Sequence, residues 1–438
     1  MKFIHIADSH LGRGFALSNN SEVKDSVRET WNRVVDLCIA EQADFLLIAG
    51  DSYEDNDDSL RSTVFLRDKL TQLSKAGIHS FIIHGNHDPL SSWDKNIISF
   101  EDGVTQYDNQ AQLELITTKD GEQSVVAGIS YAEKKQTSNS VDEIKSLFAQ
   151  CNTENAFRIA LLHCTVGSGN DGHDTYAPTT LDELIKCGAD YIALGHVHNS
   201  PNPIRDDKPR IAYAGSLQGT SIRDTSTGGA WVISATGHEI TEARFVPLAF
   251  SHWMMAEVDI SQCKNIVAVI DTTSKHIEEM MQDYCGSITK LDPSAQMPGK
   301  FIIRLTMTGK VTFIRELKES HRSDSLRELI GERLGQAVVL EKIELDVSAT
   351  SKHNWQSRPQ ANDFLNVMIQ HSRAMLNDPK QAKAELHEKL CSFLDWKSIL
   401  SEDERDELAN EIDWNSIIND ATEDIYEQLE TQSKGEDL

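Results

Sequence analysis

Short apolar runs at residues 2–7, 44–49, 78–83, 158–162 and 191–194 set the rhythm of the first half of the chain. Each is too short for a buried helix and is bounded by Gly, Asp or His, so each reads as a strand covered on both faces. Between the runs the period changes. Val23, Val27, Trp31, Val34 and Cys38 recur at three- and four-residue intervals, which predicts an amphipathic helix over residues 22–41. Val64, Leu66, Leu70 and Leu73 predict a second over residues 60–75, stopped by Gly77. Strands alternating with helices give an α/β layered domain with helices packed on sheet faces.

Beyond residue 250 the pattern thins. Residues 253–260, 300–307 and 338–347 read as strands, with helical periodicity around 276–284 and 323–334. Together they predict a small α/β domain over residues 249–347, within ordinary domain size. Residues 348–358 are polar and read as a linker. After Pro359 the chain reads as helical, with Phe364, Val367, Met368, His371 and Met375 on one stripe.

The five apolar runs of the first half end alike. The first leaves through Asp8-Ser9-His10, the second through Gly50-Asp51, the third through His84-Gly85-Asn86-His87-Asp88. The fourth ends at His163 and the fifth at Gly195-His196-Val197-His198. Side chains at i and i+2 of an extended segment lie on one side, and in open α/β sheets ligands collect at the carboxyl ends of the strands. Carboxylate, amide and imidazole donors suit Mn, Fe or Zn. Seven donors, Asp8, His10, Asp51, Asn86, His163, His196 and His198, are too many for one metal and suit two. The expected division gives one ion Asp8, His10, Asp51 and His198, and the other Asp51, Asn86, His163 and His196, with Asp51 bridging. Such a pair stays net positive beside two carboxylates and would attract a phosphodiester. His87, outside the ligand set, is placed to protonate a leaving group.

Charge makes that attraction necessary. The 438 residues carry a formal net charge of −27, the wrong sign for a surface that binds a phosphate backbone. Residues 401–438 hold 14 Asp and Glu against 2 Lys and Arg, yet the remainder is acidic too. A polyanion must therefore be held by local features, bound metal or a partner. Seven scattered cysteines without a Cys-x-x-Cys pair argue for reduced thiols and a cytoplasmic protein. No stretch reaches the ~20 apolar residues that span a bilayer, and the start is unlike a secretory signal, so no membrane association is expected.

The set Asp-x-His, Gly-Asp, Gly-Asn-His-Asp, His and Gly-His-x-His resembles the calcineurin-like metallophosphoesterases. Residues 1–250 more closely resemble the SbcD-type DNA repair nucleases, and within them the bacterial YhaO-like group, with the phosphoesterase domain expected over residues 1–248. The stretches 172–178, 213–219 and 245–248 carry that finer likeness. The resemblance implies mixed sheets flanked by helices, the seven metal ligands above, two manganese ions, and His87 as catalytic acid. It implies a metal-dependent DNA nuclease, exonuclease or single-strand endonuclease, working as a homodimer with an SbcC-like coiled-coil ABC-type ATPase. Residues 249–347 would cap the nuclease site and residues 359–438 would grip the ATPase. Where relatives carry Asp or His three residues after the bridging Asp, this chain has Glu54, which can still accept a hydrogen bond from His87.

Blander readings stand beside these. The same cluster would serve a phosphatase or small-molecule phosphodiesterase, and a vestigial site would serve a non-enzymatic adaptor. His5, His79 and His84 read as structural histidines. His173 and Asp174 could touch substrate, and Lys134, Lys135, Arg205, Lys208, Arg210 and Arg223 could touch phosphates, but scattered basic residues are usually surface. The acidic run 54–58 reads mainly as a solvated loop.

Overall fold

The computed structural model describes residues 1–13, 25–54, 60–92, 100, 102–135, 139–150, 155–167, 176–199, 201–208, 210–349, 364–378, 417–418, 421–422 and 425. Its first strands are β1 (Lys2–Ile6), β2 (Phe45–Ala49) and β3 (His79–Ile83), which pair in parallel. The crossovers between them carry α1 (Ser26–Ala40) and α2 (Leu60–Lys75). With β4 (Val104–Gln106), β11 (Gly229–Thr236) and β12 (Glu239–Pro247) they form a six-stranded sheet in the order β12-β11-β1-β2-β3-β4. A second six-stranded sheet takes β5 (Gln112–Thr117), β6 (Gln123–Gly128), β7 (Phe157–His163), β8 (Tyr191–Gly195), β9 (Asn202–Arg205) and β10 (Arg210–Tyr213). Its order is β5-β6-β7-β8-β10-β9.

The two sheets pack face to face through aromatic side chains. Phe3 stacks on Phe45 at 5.1 Å and meets Tyr191 edge-on at 5.3 Å. Phe81, Phe157, Ile159 and Leu161 fill the same layer without solvent exposure. On the outer face of the first sheet, Trp31, Val34, Leu66 and Leu70 from α1 and α2 cover Ile4, Leu46 and Ile82. On the outer face of the second, Ile144 and Phe148 of α3 (Val141–Gln150) and Leu184 of α4 (Leu181–Ile185) cover Ala160, Leu162 and Ile192. The result is four layers, with the two sheets between two layers of helices. This is why the strands are apolar at every position instead of every second one.

β13 (Ser251–Asp259), β14 (Lys300–Val311) and β15 (Val338–Ala349) make a third sheet, with α5 (Ile266–Leu291), α6 (Ile314–Arg322) and α7 (Ser325–Leu334) between them. The helix expected at 276–284 is the middle of the longer α5. Two compact units emerge: residues 1–259, 266–307 and 318–345 form the first, and residues 260–265, 308–317 and 346–438 the second. In the second, α8 (Phe364–Asn377) buries Ile369 and Ser372, and Thr422 donates to Ser372 Oγ at 2.8 Å. Val367 of the expected stripe is 65% exposed, so the buried face of α8 lies elsewhere. Most of the expected linker lies outside the described residues.

Candidate metal centre

The predicted donors leave the carboxyl ends of five parallel strands, β1, β2 and β3 of one sheet and β7 and β8 of the other. To turn side chains inward there, the backbone adopts unusual conformations. Asp8, His10, Asp51 and His196 have φ of 49°, 44°, 50° and 104°, four of the seven non-glycine residues with positive φ among those described. Each such residue costs of order 1–3 kcal/mol, and strain of this kind concentrates at functional sites. Backbone hydrogen bonds hold it in place: Asp8 N–H donates to Gly50 O at 3.1 Å and His10 N–H to Asp51 O at 3.0 Å.

His163 shows what the centre can hold. Its Nδ1 donates to the Ala49 carbonyl at 2.8 Å, which in the neutral ring leaves a lone pair on Nε2. That lone pair faces Asn86 Oδ1 at 3.1 Å and Asp51 Oδ2 at 3.4 Å. Three acceptors thus converge on one point, and only a cation or a proton satisfies them. His10 Nε2 and His198 Nε2 lie 3.1 Å apart, a hydrogen bond when one ring carries a proton there and two lone pairs open to a cation when neither does. Asp8 with His10 and His198, Asp8 with Asp51 and His163, and His10 with Asp51 and His87 each offer ligand atoms within 4.8 Å of one another. Asp8 and Asp51 each belong to two of these sets, as carboxylates serving neighbouring ions would. The donor chemistry therefore fits a pair of divalent ions. His196 stands edge-on to His163 at 5.3 Å, and its backbone N–H donates to both oxygens of Asp8 at 3.0 Å.

Electrostatics reflect this crowding. Burial and the neighbouring charge of Asp51 push the Asp8 carboxyl up to about 6. Burial also opposes ionisation of Asp51, but the rings of His163, His10 and His87 outweigh it and hold that carboxyl far below its usual range. His163 is raised to about 9: burial works against its charge, and the two carboxylates overcome it. A proton on His163 does there what a metal ion would do.

Glycines make room for these groups. A Cβ on Gly85 would lie 2.3 Å from Asp51 Oδ1 and 2.7 Å from His163 Nε2. One on Gly195 would lie 2.0 Å from the Ala49 carbonyl.

His87 stands at the edge of the cluster, edge-on to His10 at 4.8 Å. Its side chain is 27% exposed, whereas those of His10 and His163 are 3% and 0%, so it can exchange protons with solvent. Its backbone N–H donates to Asp51 Oδ1 at 2.9 Å, and its Nδ1 lies 3.1 Å from Glu54 Oε1. The longer side chain of Glu54 thus reaches His87. Its other oxygen faces His10 Nδ1 at 3.3 Å. Burial opposes the charge on Glu54, but His10 and His87 hold it well below the usual carboxylate range.

Several further residues support the centre. Asp88 accepts from Ser52 N–H at 2.9 Å and Gly85 N–H at 2.7 Å, tying the loop after β3 to the loop after β2. Tyr131 donates to the His163 carbonyl at 2.7 Å and Tyr213 to the Cys164 carbonyl at 2.9 Å. Tyr176 packs edge-on to His196 at 5.4 Å. His5 and His79 find partners in Tyr191 and Thr105, and His84 meets the Asp88 carbonyl. Arg205, Lys208 and Arg210 pair with Asp207, Asp190 and Asp206. His173, Asp174 and residues 55–58 lie outside the described residues.

The family model of the calcineurin-like phosphoesterases matches residues 1–200. The chain is 31% identical over 292 residues to the uncharacterized metallophosphoesterase YhaO of Bacillus subtilis (strain 168), covering 63% of this chain and 68% of that protein. It is 22% identical over 241 residues to the DNA double-strand break repair protein Mre11 of Methanococcus maripaludis, covering 51% of this chain and 59% of that one. TT1561 of Thermus thermophilus superposes with a TM-score of 0.36 at 10% identity, over 56% of this chain and 98% of that structure. The chain belongs to the calcineurin-like phosphoesterase family and is a hydrolase of phosphate esters. No helix among the described residues is long and apolar enough to cross a membrane.

Proposed function

We propose that the protein is a metal-dependent DNA nuclease that cleaves phosphodiester bonds, acting in DNA repair or processing with an SbcC-like ATPase. The observation that carries the reaction is the convergence of His163 Nε2, Asn86 Oδ1 and Asp51 Oδ2 on one point. The likeness to a protein named for DNA double-strand break repair supports the choice of substrate. Asp8, His10, Asp51, Asn86, His163, His196 and His198 would hold two divalent ions, most suitably Mn(2+). Bound there, such ions would lower the pKa of a solvent molecule and neutralise charge on the scissile phosphate.

The protein's own groups supply the rest. Glu54 fixes the His87 ring through Nδ1, leaving Nε2 to carry the proton that the departing oxygen needs. Residues 249–347 would serve as a capping element and residues 359–438 as the partner-binding region.

The test is direct. With Mn(2+) the purified protein should degrade linear DNA, and Asp51→Ala or His87→Ala should abolish this. Turnover of bis(p-nitrophenyl) phosphate with DNA left intact would instead assign the site to small esters.

A further inference from the structure

We propose that Arg13 is a substrate-binding residue: its guanidinium takes a non-scissile phosphate of the polynucleotide, and Glu54 aims it. The inference rests on the nuclease reading above and adds the specificity for a chain over an isolated ester.

Arg13 follows the strained turn after β1 and is tied to it, its backbone N–H donating to the His10 carbonyl at 3.0 Å. Its Nε lies 3.5 Å from Glu54 Oε2, while Glu54 Oε1 lies 3.1 Å from His87 Nδ1. One carboxylate therefore separates the guanidinium from the group read as the acid. One such contact uses a single donor of the five that a guanidinium carries, and the side chain is 37% exposed. A guanidinium held in this way presents paired donors to a phosphate in fixed geometry.

A purely structural role explains the arrangement less well. An ion pair at 3.5 Å with a partly exposed partner contributes little to stability. Glu54 also shares its charge with two imidazoles, so Arg13 is not neutralised by a partner of its own. Elsewhere the chain is strongly acidic, and Arg205, Lys208 and Arg210 are already paired with aspartates. A cation one carboxylate away from His87 supplies locally what the surface as a whole lacks.

The experiment uses the full-length protein with Mn(2+) and compares a thymidine dinucleotide, with one phosphodiester, with a tetranucleotide. In wild type, KM should be lower for the tetranucleotide, and log(kcat/KM) should fall with log of salt concentration. Arg13→Ala should remove most of the KM advantage and reduce the salt slope by about 0.7, the value for one contact to a single strand. Arg13→Lys should keep the slope and Arg13→Gln should lose it, which covers the case in which the alanine variant fails to fold. Equal loss of kcat on both substrates, with the slope unchanged, would mean that Arg13 only props Glu54 and would overturn the assignment. Wild type that turns over bis(p-nitrophenyl) phosphate but neither oligonucleotide would sink the nuclease reading, and the role of Arg13 with it. An active wild type matched by Arg13→Ala in slope and KM would sink the Arg13 role alone.

Discussion

Glu54 Oε1 lies 3.1 Å from His87 Nδ1, a carboxylate–imidazole pair at the rim of the donor cluster. The carboxylate fixes the ring. Glu54→Gln keeps the hydrogen bond but removes the charge, so kcat should fall by about tenfold to a hundredfold with KM little changed. A variant with wild-type kcat would show that the charge on Glu54 is not needed.

The loop after β3 has no space beside the donors. Gly85→Ala would place a methyl group 2.3 Å from Asp51 Oδ1, displacing the carboxylate. Activity should drop by about a hundredfold, the usual effect of a misplacement of about an ångström, and metal content should fall in parallel. Elemental analysis after gel filtration reads the second quantity directly.

Ions that bind only the folded state raise its stability. Chelation should abolish hydrolysis and lower the unfolding midpoint, and Mn(2+) at a hundred times its Kd should restore about 2.7 kcal/mol. His163→Ala removes the buried ring that faces Asp51 and Asn86, so it should show a smaller gain, the ion not held by His163 keeping its ligands. A manganese-dependent shift of full size in that variant would remove His163 from the ligand set.

Acid should weaken the fold before it affects most carboxylates. Burial pushes His5 down to about 3 and His252 to about 4, against about 6.5 in the unfolded chain. Both rings are neutral in the fold, so their contribution is intact above the unfolded value and is lost as pH falls from about 6.5 towards 4 and then 3. Each group contributes a slope of about 1.4 kcal/mol per pH unit across its window. His252→Phe preserves the stack on Tyr284, whose ring lies 3.6 Å away, and should make the decline shallower by one proton. Urea midpoints between pH 7 and 4.5 measure it.

Gly286 lies within α5, and a Cβ added there would meet nothing within 4 Å. Gly286→Ala should therefore stabilise the protein by about 0.5–1 kcal/mol, read as a higher urea midpoint at unchanged activity.

Much of this architecture can be read from the chain because covered parallel strands are apolar throughout and their polar ends stand out. Asp8 and His163 follow such a run at once, and Asp51, Asn86 and His196 follow within three residues. The edges are harder to read. In β5 every residue is half-buried or exposed, and β12 begins with a polar stretch, so neither stands out from loop sequence. The supports of the centre are harder still. Tyr131 and Tyr213 act through hydroxyls that reach backbone carbonyls 32 and 49 residues away in sequence, a relation set by sheet pairing and not by local spacing. The positive φ of Asp8, His10 and Asp51 is hidden for the same reason, since tertiary hydrogen bonds impose it.

The cluster also draws its donors from both sheets: Asp8, His10, Asp51 and Asn86 come from one, and His163, His196 and His198 from the other. On the proposed division of ligands, neither sheet alone supplies a full set for either ion. Ion uptake and the packing of the two sheets would then be one linked equilibrium, so a cavity cut among Phe3, Phe45 and Tyr191, remote from any chemistry, should surface as weakened affinity for the cations.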